Sequence, residues 1–250
     1  MLIKRAKKIT VAPYSALAGI YDFVMNHVDY QRWANYVVLV AQKHSDHVRS
    51  IVDLSCGTGS LGLQLKQLGY EVSGCDSSVE MIRIARQKLD APIWCADMRH
   101  VAMQSAADVI VSLYDSMNYL PDNSSWLQCF KNAHSLLKPK GLFIFDISTL
   151  HNSIDVFKNY VEKEKSEKAA YLRKSHFEKD RKLQVNYFEI RYKKSPEIIF
   201  CETHKQRIRK VQEIEEMIRQ TDFELVGCYS GFSLQPGSEE SERVHFVLKK

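Results

Sequence analysis

The run Ser50-Ile51-Val52-Asp53-Leu54-Ser55-Cys56-Gly57-Thr58-Gly59 constrains this chain more than any other stretch. A short apolar strand enters a glycine-rich turn, and Leu61, Leu65 and Leu68 then fall on one helical face. The alternation continues. Residues 70–75 read as a second strand, and Ser77 or Ser78 can cap a helix running to about Leu89, with Glu80 near its first turn. Ile93–Cys95 and 107–113 read as strands, 126–137 as a helix stopped by Pro139 and Gly141, and 142–147 as another apolar strand. Strands this apolar, alternating with helices, belong to a parallel sheet buried on both faces. Residues 211–220 predict a last helix. The strands 223–232 and 243–249, joined by a polar loop at Pro236, then close the chain hairpin-fashion, which makes the final strand antiparallel.

Two stretches depart from this pattern. Leu17, Ile20, Val24, Val28, Trp33, Val37 and Val40 follow a helical period over 16–43, predicting a helical N-terminal cap within 1–47. Between 151 and 210 the period becomes two. Runs at 170–177, 183–192 and 198–208 predict an inserted antiparallel sheet that could cover a site as a lid. The α/β unit is then 48–150 together with 211–250. With 250 residues and 45% apolar content, one domain carrying an insertion is enough. Charge follows the same division. The chain carries a net +5, yet 151–210 alone holds 16 Lys/Arg against 9 Asp/Glu, and Lys4, Arg5, Lys7 and Lys8 add a basic N-terminus. The remainder is acidic. A basic lid suits an anionic partner, although a run such as 158–182 equally suits a solvated face. No apolar run approaches the ~20 residues of a membrane helix, and the basic start lacks an apolar leader segment. Six cysteines without a C-x-x-C pair point to a reducing, cytoplasmic setting, with no membrane association and no metal site.

Gly57-Thr58-Gly59-Ser60-Leu61-Gly62 satisfies G-x-G-x-x-G, so backbone N–H groups can approach a ligand at a helix N-terminus. Asp76, some 20 residues on, fits a carboxylate for ribose hydroxyls. These two features suit NAD and other adenosine cofactors alike. Asp53, just before the turn, suits a ligand bearing an ammonium or sulfonium and not a pyrophosphate. Asp97, after the third strand, could meet an adenine amino group. A tight turn, helix caps at Asp53 and Asp76 and an ordinary loop acid at Asp97 are the simpler alternatives.

Taken together, these motifs resemble those of class I S-adenosylmethionine-dependent methyltransferases. Val52–Gly59 resembles the first motif, with Ser55 where Gly or Ala is commoner. Cys75-Asp76, Ala96-Asp97-Met98, Asp108–Leu113 and Leu137–Gly141 resemble the later ones. Tyr14, Ala18–Asp22, Asp29-Tyr30, Ser112–Leu120 and Glu202–Arg207 are similar to one subgroup: small-molecule methyltransferases with a β-sheet insertion, including sugar-nucleotide amino-sugar N,N-dimethyltransferases and uncharacterised bacterial proteins. The resemblance implies a Rossmann-like seven-stranded sheet with its last strand antiparallel, a helical N-terminal cap and an inserted β lid. It implies S-adenosylmethionine held by Tyr14, Tyr21, Asp53, Ser55, Cys56, Gly57, Thr58, Gly59, Asp76, Ser77, Met81, Asp97, Met98 and Leu113. Catalytic candidates are Tyr14, Tyr114 and His204. Acceptor-binding candidates are Tyr114, Asp115, Asn118, Tyr119, His204 and Arg207. Those from 114 to 119 lie where the fourth strand ends, a place that serves scaffold as readily as pocket, and His204 and Arg207 could be a solvated strand face. Leu113-Tyr114-Asp115-Ser116 stands where amide and nucleobase N-methylases carry Asn/Asp-Pro-Pro-Tyr/Phe. The expected activity is methyl transfer to nitrogen, or oxygen, of a small molecule, a phosphorylated one suiting the basic lid. The alternatives are an RNA or protein methyltransferase using that lid, a non-catalytic S-adenosylmethionine-binding protein and, more distantly, an NAD-dependent oxidoreductase. A monomer or homodimer is expected.

Overall fold

The structure is a computed structural model that describes residues 6–250; Lys4 and Arg5 of the basic N-terminus lie outside them. The described chain opens with β1 (Lys7–Thr10), a 3-10 turn (Leu17–Ile20), α1 (Tyr21–Val24) and α2 (Tyr30–His44). Strand and helix then alternate through β2 (Ser50–Asp53), α3 (Ser60–Gln67), β3 (Glu71–Asp76), α4 (Val79–Lys88), β4 (Ile93–Cys95) and β5 (Ala107–Ser112). A second 3-10 turn (Ser116–Tyr119), α5 (Asn123–Leu136), β6 (Leu137–Ser148) and α6 (Leu150–Asp155) follow. Four strands come next: β7 (Asn159–Lys165), β8 (Ala169–Glu178), β9 (Leu183–Tyr192) and β10 (Ile198–Arg207). The chain closes with α7 (Val211–Ile218), β11 (Glu224–Ser230) and β12 (Arg243–Lys249).

Seven strands form one sheet in the order β11-β12-β6-β5-β2-β3-β4, with β12 antiparallel to both of its neighbours, as the sequence predicts. Alternation within β5 shows why its strands are apolar throughout. Val109 and Val111 face Trp33, Val37, Leu65 and Ile82 of α2, α3 and α4, while Ile110 faces Trp126, Phe130, Ile214 and Met217 of α5 and α7. Each strand thus supplies both cores. The chain leaves β2 toward β3 on one side, and β5 lies on its other side. The strand order therefore reverses between β2 and β5, and a crevice opens at their carboxyl ends.

The second sheet runs β1-β10-β9-β8-β7. The strands expected at 170–177, 183–192 and 198–208 are β8, β9 and β10. Its inner face carries Tyr171, Phe188 and Ile190, packed against Leu17, Ile20 and Val24 of the N-terminal segment. Three features were not legible. Residues 7–10, expected within a helical cap, form a parallel edge strand on β10. A four-residue strand is too short for its periodicity to be distinguished. β7 lay hidden in a basic run, and α6 was not expected. The helix read over 16–43 is broken between Val24 and Tyr30, where the Asp29 side chain accepts the Arg32 N–H at 2.9 Å and starts α2. The apolar period masks the break because Val28 still packs inward.

Gly62 lets α3 pack closely. A Cβ there would lie 2.7 Å from Leu89 Cδ2 and 3.3 Å from Val72 Cγ1. Gly62→Val is expected to lower the unfolding free energy by ~1–3 kcal/mol, seen as a lower urea midpoint at unchanged slope. An unchanged midpoint would contradict this packing.

Candidate functional site

A cavity of about 610 Å³ occupies the crevice, bounded by the glycine-rich loop, the N-terminal segment and the inner face of the second sheet. Its floor comes from the ends of β2 and β3. Gly57 and Gly59 sit at φ +53° and +80°, the left-handed region that glycine enters without strain. A Cβ on Gly57 would meet nothing within 4 Å, so the loop backbone is open to a ligand there. The Gly57 N–H donates to Asp76 Oδ2 at 3.0 Å and the Ser78 N–H to Asp76 Oδ1 at 2.8 Å, which ties the first loop to the second. Asp53 Oδ1 accepts the Ser55 N–H at 3.0 Å.

Burial pushes the Asp53 carboxyl up to about 7, aided by nearby Asp76 and opposed by the Ser55 hydrogen bonds. Burial also raises Asp76, against the pull of the Ser78 and Gly57 N–H groups. Among the described residues neither carboxylate is paired with Lys, Arg or His. Two buried acids without a cation favour a ligand that brings positive charge. Asp97 differs. Arg99 grips it through Nη2 at 2.6 Å, Nε at 2.9 Å and its own N–H at 2.9 Å, holding it below the usual carboxylate range. A carboxylate has about four acceptor positions, so one remains for an amino group. Cationic ligand end, ribose and adenine each find a matching group, and these residues fit S-adenosylmethionine.

The roof is fastened at two places. Asp22 accepts the Thr58 hydroxyl at 2.6 Å and pairs with Lys88 at 2.6 Å, which holds α1 on the glycine-rich loop. Glu202, fully buried on β10, accepts the N–H groups of Tyr14, Ala16 and Leu17 at 2.7, 2.5 and 2.8 Å. Tyr14 is thereby held at φ +62°, a strained conformation for a non-glycine residue. Its hydroxyl meets that of Tyr119 at 2.7 Å, and Tyr119 meets His204 Nδ1 at 3.0 Å.

At the far end, Tyr114 and Asp115 take φ +61° and +53° in succession after β5. Arg243 of β12 secures this kink. It pairs with Asp115 Oδ1 at 2.9 Å and with buried Asp146, while its guanidinium lies over the Trp33 and Tyr114 rings at 5.3 and 5.0 Å. Gln206 donates to Asp115 as well. Arg173 of β8 is placed differently. It donates to Asn186 Oδ1 at 3.0 Å and lies over the Phe157, Tyr160 and Phe188 rings, but its buried Nε has no partner. Among the described residues no acid forms an ion pair with it, and Glu162 stands opposite it on β7.

The cavity wall includes Tyr14, Tyr21, Asp53, Ser55, Cys56, Gly57, Thr58, Asp76, Ser77, Met81, Asp97, Met98, Leu113, Tyr114, Asp115, Tyr119 and His204. Gly59 caps α3 just behind it. Asn118 and Arg207 do not line it. Asn118 is buried scaffold: its Nδ2 donates to the carbonyls of Ser148 and Arg207, and its Oδ1 accepts the Ser148 N–H at 3.1 Å. Arg207 is exposed because Glu202, His204 and Gln206 share the inner face of β10 and an odd step points outward. That parity, counted from His204, would have nominated Glu202 and Gln206 in place of Arg207. Arg173, Arg243 and Asp22 carried no comparable signal.

Comparison with known proteins agrees with this geometry. A family model described as a methyltransferase domain matches residues 51–141. The chain is 31% identical over 244 residues to "Putative methyltransferase YqeM" of Bacillus subtilis, spanning 95% of this chain and 97% of that protein. It is 26% identical to the dTDP-3-amino-3,6-dideoxy-alpha-D-glucopyranose N,N-dimethyltransferase of Streptomyces fradiae, over 54% of each chain. The crystal structure of an S-adenosylmethionine-dependent methyltransferase from Clostridium acetobutylicum superposes with a TM-score of 0.79 at 25% identity, covering 94% of this chain and 98% of that one.

The Asp53 shift has a measurable sign. Its folded value of about 7 exceeds the ordinary 3.8, so between the two the folded protein keeps a proton that the unfolded chain has lost. Asp53 therefore costs the ligand-free protein stability as pH rises from 4 to 7. Asp53→Asn is expected to gain on the wild type across that window, by at most about 1.4 kcal/mol per pH unit, in parallel urea titrations. Curves that stay parallel would refute the burial of this charge.

Proposed function

The chain belongs to the S-adenosylmethionine-dependent methyltransferases, and on that premise we propose that it methylates an amine nitrogen of a small anionic molecule in the cytoplasm. The observation that carries this reading is the opposed charge of the cavity. Among the described residues Asp53 and Asp76, on the cofactor side, have no cation paired with them, and Arg173, on the lid side, has no ion pair. Tyr14 and Tyr119 line the same cavity as Asp53, Asp76 and Arg173. A phosphate or carboxylate on the acceptor would give Arg173 the partner it lacks. The dTDP-amino-sugar N,N-dimethyltransferase among the relatives acts on a nucleotide-linked amine, and such a molecule has both features.

The cofactor supplies a methyl group already activated on a sulfonium. This chain has to bind, orient and exclude water. Asp53 would take the ammonium end, Asp76 the ribose hydroxyls, and the open position on Asp97 the adenine amino group, with Met98 beside it. Tyr14 and Tyr21, held by Glu202 and Asp22, roof the reacting centre. Orientation of this kind contributes ~7–11 kcal/mol in well-aligned systems.

Calorimetry with S-adenosylhomocysteine is expected to show binding to the wild type and a loss of about tenfold or more in Asp76→Ala, with the urea midpoint retained. Nucleotide-linked amino sugars and their neutral counterparts, assayed by mass spectrometry, test the acceptor. Methylation of the anionic set, with KM raised about tenfold or more in Arg173→Met, supports the reading. Equal use of neutral amines contradicts it.

A further inference from the structure

Four side chains from three parts of the fold form an unbroken hydrogen-bonded line. Glu202 Oε2 and His204 Nε2 lie 3.0 Å apart, His204 Nδ1 and Tyr119 Oη 3.0 Å, and Tyr119 Oη and Tyr14 Oη 2.7 Å. Glu202 and His204 are buried, whereas Tyr14, Tyr119 and His204 all reach the cavity wall. The direction of this line follows from donor and acceptor inventory. A carboxylate only accepts, and Glu202 already takes three backbone N–H groups, two on Oε1 and one on Oε2. The fourth acceptor position faces His204 Nε2, which must then carry its proton. For the imidazole to receive a proton it must start neutral with one N–H, and Nδ1 then accepts while the hydroxyl of Tyr119 donates to it. With its proton so used, Tyr119 accepts from Tyr14. The Tyr14 oxygen is left with a lone pair that no protein donor among the described residues satisfies.

We propose that Tyr14, Tyr119 and His204 form a one-way proton relay that deprotonates the acceptor, with Glu202 as the positioning residue that fixes its direction. The proposal rests on the amine reading above. An alkyl amine arrives as an ammonium and has no lone pair with which to attack. One of its N–H bonds breaks, and the electron pair stays on nitrogen as the nucleophile. The proton joins the Tyr14 oxygen as the Tyr14 proton moves to Tyr119 and the Tyr119 proton to His204 Nδ1. The imidazolium so formed lies against the Glu202 carboxylate. Neither phenol needs to ionise: burial pushes both Tyr14 and Tyr119 far above the ordinary phenol range, which suits a shuttle of protons and not a stored phenolate. The remaining neighbours of His204, the Phe188 ring and Asn186 opposite it on β9, carry no charge. Tyr114 is not in the line; its ring lies under Arg243.

Two measurements decide the matter. Nitrogen-15 NMR of histidine-labelled wild-type protein, with His204 assigned by the signal missing in His204→Gln, reads the tautomer directly. The relay requires Nε2–H with an unprotonated Nδ1, and a proton on Nδ1 overturns it. With whichever nucleotide-linked amino sugar is methylated, Tyr119→Phe is expected to lower kcat by about 10²–10⁴, with KM and S-adenosylhomocysteine affinity within about threefold. The double variant Tyr119→Phe/His204→Gln should lose little more than Tyr119→Phe alone, because members of one relay act as a unit. A kcat for Tyr119→Phe within about threefold of wild type, or losses that add, overturns the relay. If no amino sugar is methylated, the acceptor reading falls, and the tautomer still decides the relay.

Discussion

The buried carboxylate of Glu202 sets how the parts of this molecule meet. Withdrawing a charge from water costs several kcal/mol unless every acceptor position is filled. Here three backbone N–H groups and one imidazole fill them. Each of those donors is itself placed by the bond. The segment 14–17 is drawn over the cavity, Tyr14 is kept in its strained conformation, and His204 is turned with Nδ1 toward Tyr119. Asp22 fastens the other end of the roof to Thr58 and Lys88. N-terminal segment, glycine-rich loop and second sheet thus enclose the cavity through two carboxylates that do not line it.

Charge inside the cavity is arranged quite differently from charge on the chain as a whole. The excess of Lys and Arg in 151–210 drew attention to an anionic partner, yet of its 16 basic residues only Arg173 lines the cavity. Neighbours such as Lys174, Lys205 and Arg207 point outward by strand parity. Of the other two arginines on the wall, Arg99 is taken by Asp97, and Arg243 pairs with Asp115 and Asp146 and serves the kink at 114–115. The acidic pair, Asp53 and Asp76, is buried and has no cation paired with it among the described residues. The proposed anionic acceptor therefore rests on Arg173, which has no ion pair among the described residues, and not on a basic surface.

What could be read from sequence was whatever depends on local period and spacing. The β2 to α3 turn, Asp53, Asp76 and Asp97 are fixed relative to their own strands, and the parallel sheet needs only apolar strands alternating with helices. Three antiparallel strands of the second sheet were legible for the same reason. What depends on long-range pairing was not. β1 is a strand only because β10 accepts it. Arg243 meets Asp115 across 128 positions of the chain and Glu202 meets Tyr14 across 188. Arg207 was misplaced because two residues three apart were given one face of a strand whose period is two.

The position of the cofactor relative to these fixed groups is the central test. A crystal structure with S-adenosylhomocysteine measures this. The predicted result has both ribose hydroxyls on Asp76, the amino group on the Asp53 side, adenine at Asp97 and Met98, and the Glu202 contacts to Tyr14 and His204 intact. A ribose bound away from Asp76, or a roof that binds the ligand only after Glu202 has released Tyr14, would contradict it.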